Sequence, residues 1–600
     1  MLQSLTFIDG LVVVLLLVFI VGMSFYSSSK SKNTEDYFMA GRSLKWWSVA
    51  GSIFGTNIHA QQIIGMMGIG YSVGFAQSHY EVWAIPAILV VTYIFVPIYR
   101  KRNFFTLSQF LESRYNSKAR LVYTILMIVF IMIQLIGGFY IGSRTLGLLT
   151  AGTWFQLSYL QGIIVIALVT VTFTVVGGME SVVIADNILT VIMIISVILI
   201  GSLTYMQPEI NGLGNLIAMD HAQANKMHLY LPSNHPDLPW SGIFSGLTIL
   251  NMFYWSTNQY QVQRVLAAQT DRDARLGSIV AGFLKLIIPF FSIAAGTAAF
   301  YLFKSRFGAD NNVKPDDVFL TLLKTVVPVG YGFVGLILAG LTCAIFSAIY
   351  SMMNSVSTMM AFDVYKKYIK PDANERETIR YGQILVVLLC ITAMFLAFYT
   401  YSPSSKDNFF LILAKQTSYI KPGLVVVFFW GIFWRKTNAN AAVIVLCLSP
   451  FIGLMCDVLY KLLAANVPFI YDTFGKDFNF LYRVFCIFSI GSILIFVLSL
   501  FLNKNDPQTE KTNADLSISF QGIPLIIKCI ALVHVVFLML VFMKVLTPQL
   551  ASFPASFLTF LSFIPLLKKS DNDDFAFYEN DIFYAGLLAS AMVWIMYYFA

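Results

Sequence analysis

The chain has 600 residues, of which 58% are hydrophobic and only 12% charged, with a mean hydropathy of +0.74 and a formal net charge of +8. No water-soluble core can hide that much apolar surface, so lipid is the solvent for most of the chain. The basic residues stand in short loops between apolar runs, which removes nucleic acid as a partner, and the six cysteines (Cys343, Cys390, Cys447, Cys456, Cys486, Cys529) lie inside hydrophobic runs with neither a disulfide framework nor a metal-ligand spacing.

The first apolar run, 7–27, reaches the roughly 20 residues a bilayer crossing needs and reads as a retained helix rather than a cleaved leader. Further runs follow at 46–70, 79–98, 119–147, 157–177, 181–205, 241–266, 274–303, 329–360, 378–401, 406–434, 440–460, 478–502, 524–546, 551–567 and 580–599. They predict an all-α polytopic membrane protein with about 14–16 crossings. The run 551–567 is short and carries Pro554 and Pro565, so a re-entrant or interfacial helix is equally open there.

The clusters Lys30/Lys32/Arg42/Lys45, Arg100/Lys101/Arg102, Arg272/Arg275, Lys366/Lys367/Lys370 and Arg435/Lys436 fall on one side if the helices alternate, and that side is predicted cytoplasmic. The N-terminus is then outside, with the loops 206–240 and 304–328, in a plasma (inner) membrane. The predicted organisation is an N-terminal extra helix and loop at 1–45, a first repeat at 46–205, an extracellular loop at 206–240, a second repeat at 241–434, additional helices at 435–502, and a cytoplasmic loop with a C-terminal membrane extension at 503–600.

Two of these runs are interrupted. One contains Gly51-Ser52-Ile53-Phe54-Gly55-Thr56-Asn57-Ile58-His59-Ala60-Gln61-Gln62, and the other, five helices later, runs from Asn251 to Arg264 as Asn-Met-Phe-Tyr-Trp-Ser-Thr-Asn-Gln-Tyr-Gln-Val-Gln-Arg. Bare amides and hydroxyls in hydrocarbon each cost about 1 to several kcal/mol, so both segments should line a protein-enclosed polar cavity. Broken helices at matching positions of two halves point to an inverted-repeat carrier with its site near the midplane. Straight helices whose glycines serve close packing are the other reading.

Several motifs resemble the sodium:solute symporters, and among them the sodium/sugar branch. They are Tyr254-Trp255-Ser256-Thr257-Asn258-Gln259 followed by Gln263-Arg264-Val265-Leu266-Ala267-Ala268, then Asn354-Ser355-Val356-Ser357-Thr358 followed by Phe362-Asp363-Val364-Tyr365, and more loosely Glu35-Asp36-Tyr37-Phe38-Met39-Ala40-Gly41-Arg42. The resemblance spans about residues 5–500. It implies a five-plus-five inverted-repeat, LeuT-like core, alternating access and solute uptake driven by sodium, with no covalent cofactor and no required protein partner.

Carried over residue by residue, the resemblance assigns solute binding to Gln62, Glu81, Asn251 and Lys285. That mixture of amides, a carboxylate and an ammonium suits a neutral polyol, whose hydroxyls donate and accept. Lys285 sits in an apolar run, where an unpaired cation costs about 2.5–3.5 kcal/mol on insertion scales; pairing with Glu81 for stability alone remains open, as does an interfacial place for Glu81. Tyr254 matches an inner gate, with Asn57 bonded to its hydroxyl, and Met66, Tyr80 and Phe410 match an outer gate, ordinary core packing being the alternative for these three. The implied sodium site uses the carbonyls of Gly55, Ile58 and Ala344 and the Ser347 hydroxyl, with Asp186 on the ion exit path. Ala348 stands where a second hydroxyl is expected, which leaves weak, absent or non-sodium coupling open. Ala414 replaces a customary glutamine while Lys415 and Lys421 add cations nearby, so an acidic sugar competes with a neutral one. From other classes, a membrane-embedded enzyme lacks clustered ligands, a phosphate loop or a nucleophile motif, whereas a transporter-like sugar sensor is not separable by sequence.

Overall fold

The computed structural model describes residues 6–28, 33–58, 60–150, 156–308, 313–400, 409–502, 523–567 and 580–600. Their regular structure is helical apart from two isolated bridges, Leu44 to Ala268 and Leu231 to Pro239. Among the described residues ten helices are long and apolar enough to cross a membrane, joined by the shorter apolar helices Phe7–Leu16, Tyr159–Thr172, Lys421–Phe433 and Ile527–Phe542. The two interrupted runs complete the set of predicted spans.

The first interruption separates Trp46–Asn57 from Ala60–Ser72, with Ile58 at φ −93° and ψ 81°, outside the helical range. Gly55 explains how the first piece is held: a Cβ there would stand 2.9 Å from both the Asp186 carbonyl oxygen and Thr190 Oγ1, so only glycine lets this helix lie against Gly178–Tyr205. The packing role and the helix break, posed as alternatives from sequence, coexist on the same segment.

The second interruption is a π turn over Phe253–Thr257 that ends in extended backbone at Asn258 (φ −90°, ψ 116°), before helix resumes at Gln259–Leu266. Carbonyls freed by the break need donors in a water-poor setting, and two tyrosines supply them. Tyr99 donates to the Ser256 carbonyl at 2.9 Å and Tyr123 to the Thr257 carbonyl at 2.8 Å.

Two more discontinuities matter. Gly178, at φ 57° and ψ −165°, divides the predicted spans 157–177 and 181–205, and a Cβ on it would meet the Tyr37 carbonyl oxygen at 2.8 Å. The single run expected at 406–434 is instead two helices, Phe409–Thr417 and Lys421–Phe433, which leaves Lys421 in the first turn of the second piece.

Around this frame, Phe333–Met359 packs along the helical hairpin bent at Gly178, and Trp46–Asn57 along Asp271–Lys285. The loops expected at 206–240 and 304–328 carry helices of their own, Leu213–Ala222 and Val318–Val326. Near the C-terminus, Pro548–Leu566 is long and apolar enough to span, and Pro548–Leu561 packs on Asp581–Tyr598. The latter helix in turn lies against Asp271–Lys285 and Ile85–Val90. The loop expected at 503–520 falls outside the described residues.

Candidate substrate and ion site

A cavity of about 110 Å³ opens between the two broken spans, and Asn57, Gln62, Tyr80, Asn251, Tyr254, Lys285 and Phe410 all line it. Residues separated by more than 300 positions in the chain therefore converge on one polar pocket. Glu81 stands just behind the wall, fully buried, where Gln62 Nε2 donates to its Oε1 at 2.6 Å and Lys285 Nζ lies 2.5 Å from its Oε2. Glu81 is thus buried and paired within the protein. Lys285 also donates to Asn57 Oδ1 at 2.6 Å and rests 5.6 Å from the centre of the Trp255 ring. One ammonium ties the first broken span to the helix Asp271–Lys285 and to the segment carrying Glu81.

Asn57 Oδ1 accepts from Lys285, and the Asn57 amide and the Tyr254 hydroxyl, expected to bond each other, both face the cavity. Tyr80 and Phe410 meet edge to face at 5.3 Å in the cavity wall. Met66 is fully buried in the apolar core, one helical turn after Gln62, and is not among the cavity's lining residues.

Several lining groups keep unused hydrogen-bonding capacity: Asn251 Nδ2, the hydroxyls of Tyr80 and Tyr254, and Gln134 Oε1. Buried polar atoms of this kind are costly to leave alone and are explained by a polar occupant. Gln134 went unnoticed in the sequence despite a visible signal, a lone amide in Phe130-Ile131-Met132-Ile133-Gln134-Leu135-Ile136. Trp255, Thr417 and Lys421 complete the polar and aromatic part of the wall. Ala414 also lines the cavity, whereas Lys415 points to the surface, where its Nζ lies 3.4 Å from Asp237.

A second polar centre surrounds Asp186, which is fully buried. Its carboxylate accepts from Ser52 Oγ at 2.7 Å, Thr56 Oγ1 at 3.2 Å, the Tyr350 hydroxyl at 3.1 Å and the Ser347 hydroxyl. Arg264, also fully buried, reaches to 3.6 Å of it and donates to Ser351 Oγ at 2.7 Å and to the Tyr260 carbonyl. Ser52 and Thr56 are four residues apart on one face of the first broken helix, a spacing the sequence displayed. Of the residues carried over for an ion, Ser347 joins this network directly. Gly55 and Ile58 lie at the end of the same helix, and Ala344 and Ala348 are buried beside Ser347 on Phe333–Met359. The cluster offers a hard cation one carboxylate and several hydroxyl oxygens; Ala348 contributes none.

The remaining motif residues fasten the end of the bundle that carries the basic clusters. Asp363, fully buried, accepts from Thr106 at 2.9 Å, Ser108 at 2.5 Å and Thr124 at 2.9 Å, and pairs with Arg120 at 2.8 Å. Gln263 Nε2 donates to the Phe38 carbonyl at 2.8 Å while its Oε1 accepts from Ser355 at 2.8 Å. These bonds join the Glu35–Arg42 segment, the second broken span and Phe333–Met359, which accounts for three separate motifs in one contact region.

Comparison with known proteins agrees with this geometry. The profile of the sodium:solute symporter family matches residues 37–448. A sodium/glucose cotransporter of Vibrio parahaemolyticus is 30% identical over 532 residues, covering 84% of this chain and 93% of that protein. The sodium/myo-inositol cotransporter 2 of Rattus norvegicus is 28% identical, covering 82% and 76%. Among solved structures, a sodium-coupled sialic acid symporter in a substrate-bound outward-open state superposes with a TM-score of 0.69 at 20% identity, over 83% of this chain and 98% of the other, which establishes a shared fold. With two helices broken around one polar cavity and a family profile spanning most of its membrane region, this chain belongs to the sodium:solute symporter family.

Proposed function

We propose that the chain carries a sugar or related polyol into the cell together with Na+, by alternating access around the cavity between its two broken spans. The observation that carries this reading is the convergence of Gln62, Asn251 and Lys285, with unused groups on Asn251, Tyr80, Tyr254 and Gln134, on one cavity far along the chain from each other. Amides and hydroxyls that donate and accept suit a hydroxylated solute. The functions of the relatives, cotransport of glucose and of myo-inositol with sodium, support the same solute class.

In this reading Gln62, Asn251 and Lys285 contact the solute, and Glu81 positions Gln62 and Lys285 from behind. Tyr254 closes one end of the cavity, and the Tyr80–Phe410 pair the other. Na+ binds near Ser347 and the first helix break, with Asp186 supplying negative charge to the ion's path. The N-terminus faces the outside of the plasma (inner) membrane. Uptake couples to sodium because the ion and the solute both bridge the first broken span to its neighbours, so each favours the same conformation.

Counterflow tests the carrier reading. Vesicles containing the purified protein and preloaded with unlabelled glucose, galactose or myo-inositol should accelerate the inward exchange of the same labelled compound in the presence of Na+. Binding of a sugar without accelerated exchange would mark a sensor instead.

A further inference from the structure

We infer that the solute is a sugar or polyol bearing a single carboxylate, and that the Lys421 ammonium receives that carboxylate. The inference rests on the symport reading and narrows its substrate class.

Lys285 is neutralised by Glu81 at 2.5 Å, so this pair leaves the wall without net charge. Lys421 lines the same cavity, is only partly exposed, and has no hydrogen bond or ion pair among the described residues. Its nearest stabilising neighbours are two aromatic faces, with Nζ 5.5 Å from the centre of Phe130 and 5.8 Å from that of Phe253. Rings attract an ammonium without cancelling its charge. A cation left uncompensated at membrane depth marks the place of an anion that arrives later.

Position strengthens the assignment. Lys421 opens the helix Lys421–Phe433, whose N-cap residue Ile420 provides no side-chain hydrogen bond, so the positive end of a helix adds to the ammonium. Ala414 and Thr417, lining the cavity on the preceding helical piece, leave room where a longer side chain would crowd a solute reaching Lys421. The unused groups elsewhere in the wall, Asn251 Nδ2, Gln134 Oε1 and the two tyrosine hydroxyls, ask for hydroxyls rather than further charge. One unmatched positive charge among neutral polar groups selects a monoanionic polyol such as a hexuronate.

The test uses the full-length protein in nanodiscs at saturating NaCl, with binding measured for matched pairs: glucose against glucuronate, and galactose against galacturonate. Acetate serves as a carboxylate without a polyol. The expected result is that at least one uronate binds about 10-fold or more tightly than its neutral counterpart, that acetate does not compete, and that Lys421→Met removes the preference while Lys421→Arg keeps most of it. The wild-type comparison stands even if a variant fails to fold. Binding of neutral sugars with no preference for either uronate overturns the inference and leaves the symport reading intact. Failure of every compound, with and without sodium, overturns both.

Discussion

Lys285 and Glu81 meet at 2.5 Å with side chains 2% and 0% exposed, so the Lys285 charge is balanced before any solute arrives. Removing the lysine alone strands a buried carboxylate. Lys285→Ala should therefore lower stability by about 3–5 kcal/mol as well as abolish uptake, whereas the double change Lys285→Met with Glu81→Gln should restore the melting temperature without restoring uptake. Thermal melts in detergent together with uptake in vesicles separate the two roles. If the double variant transports normally, neither residue serves the solute.

Asp186 and Arg264 form the other buried pair, at 3.6 Å with both side chains 0% exposed. Asp186→Asn leaves the Arg264 charge uncompensated and replaces one of the two oxygens that accept from Ser52 and Thr56 and from Ser347 and Tyr350 with an amide donor. The expected outcome is loss of sodium-stimulated uptake together with a fall in stability of about 3–5 kcal/mol. A variant that melts like the parent and keeps its sodium response would place the ion elsewhere.

Ala348 lies next to Ser347, whose hydroxyl is directed at Asp186. Supplying the missing oxygen with Ala348→Ser should lower the sodium concentration for half-maximal uptake by about 10-fold, equivalent to about 1.4 kcal/mol. Ser347→Ala should raise it. Initial rates against sodium concentration measure both, and identical curves for all three proteins would argue against an ion at this helix.

Tyr99 and Tyr123 cap the carbonyls of Ser256 and Thr257 at the second break. Tyr99→Phe and Tyr123→Phe should each cost about 1 kcal/mol of stability, the net value of one hydrogen bond. Because the two bonds brace adjacent carbonyls, the double variant should lose more than the sum of the single losses. Strict additivity in a double-mutant cycle would show that the tyrosines do not act together on the break.

Much of this was legible in the sequence because lipid punishes polar residues so heavily that each one in a span is informative. Asn57, Gln62, Asn251 and Lys285 stood out on that ground, and all four line one cavity. Packing geometry was harder to read. A residue string gives no indication that Gly55 presses against the Asp186 backbone, so glycines read as breakers and as packers could not be told apart. Partner choice was equally hidden: nothing in the sequence showed that the Asn57 amide oxygen accepts from Lys285. Lys421 was visible as a cation near a substitution at Ala414, but only the division of the run 406–434 into two helices explains how it comes to face the cavity.

The most direct measurement is time-resolved uptake of labelled sugars, polyols and acidic sugars into sealed proteoliposomes, with an inward sodium gradient and with potassium in its place. The account predicts accumulation of at least one such solute above its external concentration only when sodium drives it, and loss of that accumulation in Asn251→Ala. Equal, non-concentrative levels in sodium and potassium for every hydroxylated solute would contradict it.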